Sequence, residues 1–173
     1  MKNLMHVFVI SILLSDCSAT KVLSDIDQEA NFNNYKIYSW SSEEEEGIDE
    51  DYPQFDNSLN RKRWKSAIDA AMQNEGYVLG EENVDIQVDF HLQFEHNAVI
   101  NREYHNDEKN YNTEIAPMPD YHYDEGTIIT HLIDLEQKQL VWQGISTRTL
   151  DISLLENTDA NIHKAVNLPL KHI

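Results

Sequence analysis

Apolar and polar residues alternate most strictly between Asp85 and Glu95. Every second position there is apolar, namely Ile86, Val88, Phe90, Leu92 and Phe94. Since successive side chains of a β-strand point to opposite faces, this pattern predicts a strand with one dry face and one wet face. Burial on one side only is typical of antiparallel sheets.

Two further apolar runs, Thr127 to Leu135 and Leu140 to Ile145, predict a β-hairpin with a polar tip at residues 136–139. Trp142 in the second run is predicted to be a core residue near a helix, in preference to a platform for a ligand. His131 shares its strand parity with the isoleucines two residues away on each side. This favours a buried, hydrogen-bonded histidine over a ligand-binding one.

A helix is predicted from Ser58 to Glu75, where an apolar stripe recurs at three- and four-residue spacing. The stripe consists of Trp64, Ala67, Ile68, Ala71 and Met72. Asp56, Asn57 or Ser58 can cap the start of this helix, and Gly76 suits a left-handed cap at its end. A second helix is predicted to begin at Asn157 or Thr158 and to be stopped by Pro169.

Two earlier strands, at 22–27 and 35–40, complete the set of elements. Together they predict an α+β fold: a mostly antiparallel β-sheet of about five strands with two helices packed on one face. We expect a single domain over residues 22–173, since a chain of this length can bury a core without staples.

The first 16 residues predict a lipoprotein-type signal peptide. Lys2 precedes an apolar run from Leu4 to Leu14, which is too short for a membrane span of about 20 helical residues. Leu14-Ser15-Asp16-Cys17 then resembles the lipobox of bacterial lipoproteins, although Asp16 departs from the Gly, Ala or Ser usual at that place.

Cys17 is the chain's single cysteine, and it stands where the apolar run has stopped. Lipid attachment at Cys17 is therefore favoured over an incidental cysteine, and residues 17–21 would be a short tether. Ser18 follows it, and a residue other than Asp there is compatible with sorting to the outer membrane.

The chain has 31 acidic and 13 basic residues and a formal charge of -18, which disfavours nucleic acid as a partner. The acidic run from Glu43 to Asp51 belongs to a predicted solvated loop over 41–56. Its spacing does not match an EF-hand, so a calcium site is disfavoured. The basic cluster from Arg61 to Lys65 is predicted to be a solvated helical turn that pairs with this loop.

Residues 97–125 are polar and lack a sustained period, which predicts a long loop of the kind that often carries function. The candidate binding residues are His105, Tyr121, His122, Tyr123, Asp124 and Glu125. No metal is predicted, because the short spacings of zinc sites are absent. His91 and His96 differ by an odd number and would point to opposite faces of a strand.

The sequence shows no nucleophile elbow, no phosphate-binding glycine loop and no metalloprotease spacing. We therefore expect a protein that is not an enzyme and that needs no cofactor.

Several short motifs follow one another along the chain: Asp25-Ile26-Asp27, Phe32-x-x-Tyr35-x-x-Tyr38-x-Trp40, Gly76-Tyr77, the strand led by Asp85, Gly126-Thr127-Ile128, Asp134 and Leu140-Val141-Trp142-Gln143-Gly144. Their order resembles that in the bacterial lipoproteins grouped as domain of unknown function 4136. The resemblance spans nearly the whole mature chain. Its motifs are structural, so it implies the fold and brings no catalytic residues.

Together these features lead us to expect an outer membrane lipoprotein that faces the periplasm. It would be joined to the membrane through Cys17 and would bind or scaffold another envelope protein. The alternative is a periplasmic protein that binds a metal or a small ligand through residues 104–125.

Overall fold

The computed structural model describes residues 20–41, 47–99 and 121–170. Within them one sheet of six strands is covered by helices on one face. The elements are β1 Lys21–Ile26, a 3-10 turn Phe32–Asn34, β2 Ile37–Trp40, α1 Ser58–Asn74, β3 Val78–Leu79, β4 Ile86–Val99, β5 Tyr121–Asp134, β6 Gln139–Thr149, α2 Ser153–Glu156 and α3 Thr158–Leu170.

The α+β fold is confirmed, and most of the strand pairing is antiparallel as predicted, but the sheet has six strands instead of about five and is mixed. Its strand order is β1-β6-β5-β4-β2-β3. The first four strands in that order are antiparallel neighbours, whereas β2 runs parallel to both β4 and β3. Between β2 and β4 the chain passes through α1, and a helical crossover of this kind returns the chain to the same end of the sheet. The Asp85 carboxylate fastens this junction by accepting the N–H groups of Lys36 and Ile37 at 2.8 and 2.9 Å.

The predicted hairpin is confirmed as β5 and β6, which are antiparallel neighbours. A bulge between Leu132 and Ile133 interrupts their register, so that Leu132 pairs with Trp142 and Ile133 with Leu140. Trp142 is 1% exposed, which confirms its prediction as a core residue. Its ring lies over Gly144, close to Pro169 of α3.

The prediction of a loop over 97–125 is wrong at both ends. β4 continues to Val99 and β5 already begins at Tyr121, and the two strands stay paired up to these residues. Residues such as Ala98, His122 and Tyr121 are exposed. Because neither face of the strands is buried there, apolar and polar residues need not alternate, and the strands cannot be recognised from periodicity.

Helix α1 begins as its sequence predicts. The Asn57 side chain accepts the N–H groups of Leu59 and Asn60, and Gly76 follows the helix with a φ of +94°. The predicted apolar stripe packs inward, since Ala67, Ile68, Ala71 and Met72 are buried and Trp64 is half-buried.

Two charged residues before and within α1 are buried, contrary to the prediction of a solvated loop and a solvated basic turn, whereas the predicted pairing of the turn with the loop is confirmed. Asp56 is 1% exposed and Arg61 is 8% exposed. They form a two-pronged ion pair, with Arg61 Nε 2.7 Å from Asp56 Oδ1 and Nη2 2.8 Å from Oδ2. Each charge is tolerated inside because the other neutralises it. The part of the acidic run at 42–46 lies outside the described residues.

Helix α3 begins at Thr158 as predicted, but Pro169 lies within its last turn instead of stopping it earlier. The short helix α2 before it was not predicted. Ile162, Val166 and Leu170 of α3 join the core formed by α1 and the sheet, so both long helices cover the same face. No described helix is long and apolar enough to cross a membrane.

The other side of the sheet, which we call the open face, is opposite α1 and α3. Strand parity and register place on it Lys21, Leu23 and Asp25 of β1, Gln143, Ile145 and Thr147 of β6, Glu125, Thr127, Ile129, His131 and Ile133 of β5, and Gln87, Asp89, His91, Gln93 and Glu95 of β4.

Asp134, at the end of β5, is buried and ties the hairpin to the N-terminal part of the chain. Its Oδ2 accepts the Tyr35 hydroxyl at 2.7 Å, and its Oδ1 accepts the Gln137 N–H at 2.8 Å. Burial alone would raise the pKa of Asp134, but these hydrogen bonds outweigh it and hold the pKa below its ordinary value. Burial and the neighbouring Asp134 raise the pKa of Tyr35 to about 12.

We expect acid to weaken the fold in part through Asp134. Its folded pKa lies below the unfolded value of about 3.9. Its contribution to stability is therefore fully present above that value and is lost as the pH falls through the folded pKa. The free energy of unfolding can be measured with urea at several pH values between 6 and 2. It should decrease less with falling pH in Asp134→Asn than in the unmodified chain. Parallel curves would show that Asp134 does not contribute.

Candidate functional site

Three potential ligand side chains meet on the open face. Asp89 and His91 belong to β4, and His131 belongs to β5. One ligand atom from each of them lies within 4.8 Å of the other two. Within the described parts of the chain, this is the one place where three His, Cys, Asp or Glu side chains come together so closely.

The register of two central strands brings this cluster together. Asp89 pairs directly with His131 across β4 and β5, while His91 follows two residues later on the same face of β4. The His91 and His131 rings are 5.3 Å apart between centroids and are tilted by 59°. The hydrogen-bonded backbones of the paired strands therefore hold the cluster in position from both sides.

Asp89 is held by its own strand. Its Oδ1 accepts the Phe90 N–H at 2.8 Å, and its Oδ2 lies 3.0 Å from His91 Nε2. All three side chains of the cluster are half-buried, so that water and ions can reach them while neighbouring side chains restrict their movement.

His131 also interacts with Gln143, the residue opposite it on β6. Burial lowers the pKa of His131, and the nearby His91 lowers it further, against smaller opposing effects of Asp89 and Gln143. A lowered pKa favours the neutral imidazole, which has a lone pair to offer. His131 was predicted to be buried; it is instead half-buried on the open face, though with the parity and a hydrogen-bonding partner that were expected.

The sequence contained part of this signal. Asp89-x-His91 places two ligand types on one face of a strand, and the parity argument that separated His91 from His96 is confirmed. The third member could not be found from the sequence, because only the register decides which residue of β5 lies opposite Asp89.

His96, His122 and Asp124 form a second polar group on the other face, at the far end of β4 and β5. His96 Nδ1 lies 2.6 Å from Asp124 Oδ1, and the His96 and His122 rings stack with centroids 5.4 Å apart. Both histidines are exposed. The three do not bring their ligand atoms as close together as the cluster on the open face does.

The predicted binding residues are divided by the strand that carries them. Tyr121, Tyr123 and Glu125 have the parity of the open face, while His122 and Asp124 have the opposite parity. Glu125 pairs with Lys21 at 3.1 Å and accepts a hydrogen bond from Asn97 at 3.3 Å. His105 lies outside the described residues.

An apolar cavity of about 100 Å³ lies between the sheet and the helices. Its lining includes Phe55, Trp64, Phe94, Leu154 and Arg148. The Arg148 side chain donates from Nη1 to Asn161 Oδ1 at 3.1 Å, whereas its buried Nε has no acceptor among the described residues.

The fold and the cluster define a class of protein: a small α+β domain with one helix-covered face and one open face bearing potential ligands. The chain belongs to the family described as Domain of unknown function (DUF4136), whose family model matches residues 22–172. This confirms the family that the sequence motifs resemble. No curated protein matches the chain.

Two solved structures share the fold. A DUF4136 family protein from Bacteroides thetaiotaomicron superposes with a TM-score of 0.53 at 14% identity, over 88% of this chain and 94% of that one. A PDZ domain protein from Parabacteroides distasonis superposes with a TM-score of 0.52 at 13% identity, over 87% of this chain. The matched part is 35% of the Parabacteroides chain, so the present chain corresponds to about a third of that protein.

Proposed function

We propose that this protein is a non-enzymatic lipoprotein of the outer membrane that faces the periplasm and binds another envelope protein. Cys17 carries the lipid anchor, and the binding of the partner needs no cofactor. The partner binds the open face of the sheet.

The open face is the observation that supports the binding role. Leu23 is 67% exposed there, and Ile145, Ile129 and His91 continue the same row across the next three strands. Contiguous apolar surface on one side of a sheet is typical of an interaction site.

The charges around this row indicate the chemistry of the partner. Acidic Asp25, Asp89 and Glu95 share the open face, and Lys21 there is already paired with Glu125. A complementary partner has an apolar patch flanked by basic residues, since opposite charges across an interface favour association. The formal charge of -18 for the whole chain acts in the same direction.

The position of β1 supports the anchor. Three residues lie between Cys17 and Lys21, the first residue of β1, and the four steps along the extended chain span at most about 14 Å. Lys21 lies at the end of the sheet where Glu125 and the paired ends of β4 and β5 are found. That end of the sheet would face the membrane, and the open face would be roughly perpendicular to the membrane plane.

Replacing Cys17 tests the anchor. We expect Cys17→Ser to move the protein from the membrane pellet to the soluble periplasmic fraction, because the acyl chains supply the membrane affinity. Ser15→Ala keeps a small residue in the lipobox and should leave the protein in the pellet. A Cys17→Ser protein that still pellets would refute the anchoring role.

Photoreactive residues test the binding face. A crosslinker at position 23 and one at position 145 should give an adduct of the same size in intact cells. A crosslinker at position 59, which is 56% exposed on α1, should give none. Ile129→Asp and high salt should both weaken the adduct if the partner is apolar with a basic rim. Adducts from all three positions, or from none, would refute the proposed face.

A further inference from the structure

We propose that Asp89, His91 and His131 bind a divalent transition metal ion of the zinc class on the open face. This site goes beyond the proposed binding of an envelope protein. It requires neither the lipid anchor nor the partner.

The donor set determines the class of ion. The cluster offers two imidazole nitrogens and one carboxylate oxygen, which suits zinc and its neighbours better than calcium or magnesium, since those ions prefer oxygen ligands. Two histidines with one carboxylate is also a common ligand set of zinc sites that keep a position open.

The distances fit such an ion after a small adjustment. With zinc bonds of about 2.0–2.1 Å in a tetrahedron, ligand atoms lie about 3.3 Å from one another. Asp89 Oδ2 and His91 Nε2 are already 3.0 Å apart, and all three ligand atoms lie within 4.8 Å. Side-chain rotations that shorten the longest of these distances by at most about 1.5 Å would complete the geometry.

The surroundings position the ligands in the way that metal sites require. The Phe90 N–H fixes one oxygen of Asp89 and leaves the other directed at His91. Gln143 interacts with His131 from the neighbouring strand. Groups that interact with the metal ligands in this way keep them oriented, and the loss of such a group commonly weakens metal affinity by about 10–100-fold.

The half-burial of the cluster leaves room for a fourth ligand. Gln87, Ile133 and Ile129 lie on the same face around the three side chains. A bound ion would therefore have three protein ligands and a position open to water or to a group from outside.

The alternative is an ordinary polar group on the surface of a sheet, in which Asp89 and His91 form an ion pair and His91 contacts His131. The two possibilities differ in one observable property. An ion pair needs no metal, whereas a metal site binds one equivalent of zinc with defined ligands.

The test uses the full chain, purified in detergent and stripped of metal by a chelator. Calorimetric titration with zinc should show one equivalent bound, and cobalt in its place should give the visible absorption of a tetrahedral ion. His91→Gln, His131→Gln and Asp89→Asn should each weaken zinc binding at least tenfold. Urea unfolding of the metal-free variants establishes that each is folded.

His96→Gln is the matched control, because His96 also lies beside a carboxylate at the surface of β4 but outside the cluster. It should leave the zinc affinity unchanged. Absence of zinc binding would overturn the proposal, as would equal binding by the unmodified chain and the His91→Gln/His131→Gln variant. Crosslinking from position 23 can succeed or fail independently of this titration, so the two proposals are tested separately.

Discussion

Trp142→Ala is expected to lower the free energy of unfolding by about 3–5 kcal/mol, the range for removal of a fully buried large aromatic side chain. Trp142 is 1% exposed and belongs to the core shared by the sheet and both long helices. Its ring occupies the space above Gly144 and reaches Pro169 of α3. Truncation would leave a cavity between sheet and helix that the rigid β5–β6 pair cannot close.

Urea unfolding followed by circular dichroism measures this effect. Leu140→Ala is the matched control in the same strand, since Leu140 is 44% exposed and should cost less than about 1 kcal/mol. Similar losses in the two variants would contradict the assignment of Trp142 as the core residue.

Gly144→Ala adds an internal check. A Cβ at position 144 would overlap the Trp142 ring and lie 2.9 Å from the Cβ of Pro169. Overpacking of this kind costs about 1–3 kcal/mol. The cost should fall in the Trp142→Ala background, where the overlapping ring is absent, so that the two changes are not additive.

Asp56→Ala is expected to cost about 3–5 kcal/mol, because it removes the buried carboxylate that forms a two-pronged ion pair with the Arg61 guanidinium. Asp56 also accepts the Asp49 N–H at 2.9 Å, and Arg61 donates to the Gly47 carbonyl at 3.1 Å. Burial opposes the charge of Asp56, but the hydrogen bonds from Arg61 and Asp49 outweigh it and hold the pKa of Asp56 below its ordinary value.

The control for Asp56 is an exposed ion pair of the same chemistry. Arg63 Nε lies 3.0 Å from Asp159 Oδ1, and the Asp159 side chain is 74% exposed. Asp159→Ala should therefore cost less than about 1 kcal/mol in the same urea measurement. Replacing both buried partners, as Asp56→Ala/Arg61→Met, should recover much of the lost stability. A double variant no more stable than Asp56→Ala would show that the loss of this ion pair is not the cause.

A few residues described above hold the parts of the fold together. Asp85 fastens the start of β2, Asp134 holds the hairpin through Tyr35, and Trp142 fills the core above Gly144. All of them lie within residues 22–172, which the family model matches. Asp89 and His91 of the candidate metal site belong to the strand led by Asp85, whereas His131 lies on β5.

The sequence by itself determined the elements whose two faces differ. The strand led by Asp85, the β5–β6 hairpin and the capped helix α1 each have a buried side, and burial imposes a period that can be recognised along the chain. The separation of His91 from His96 followed from strand parity. The core position of Trp142 followed from its place as a large aromatic residue in an apolar run.

The tertiary structure decided whatever depends on neighbours distant in sequence. Only the pairing of the strands shows that β2 runs parallel to β4 and that β4 and β5 extend to Val99 and Tyr121. The burial of Arg61 depends on its ion pair with Asp56, which no local pattern reveals. The candidate metal site required the register that places His131 opposite Asp89, because a local pattern specifies the face on which a side chain lies but not the side chain beside it.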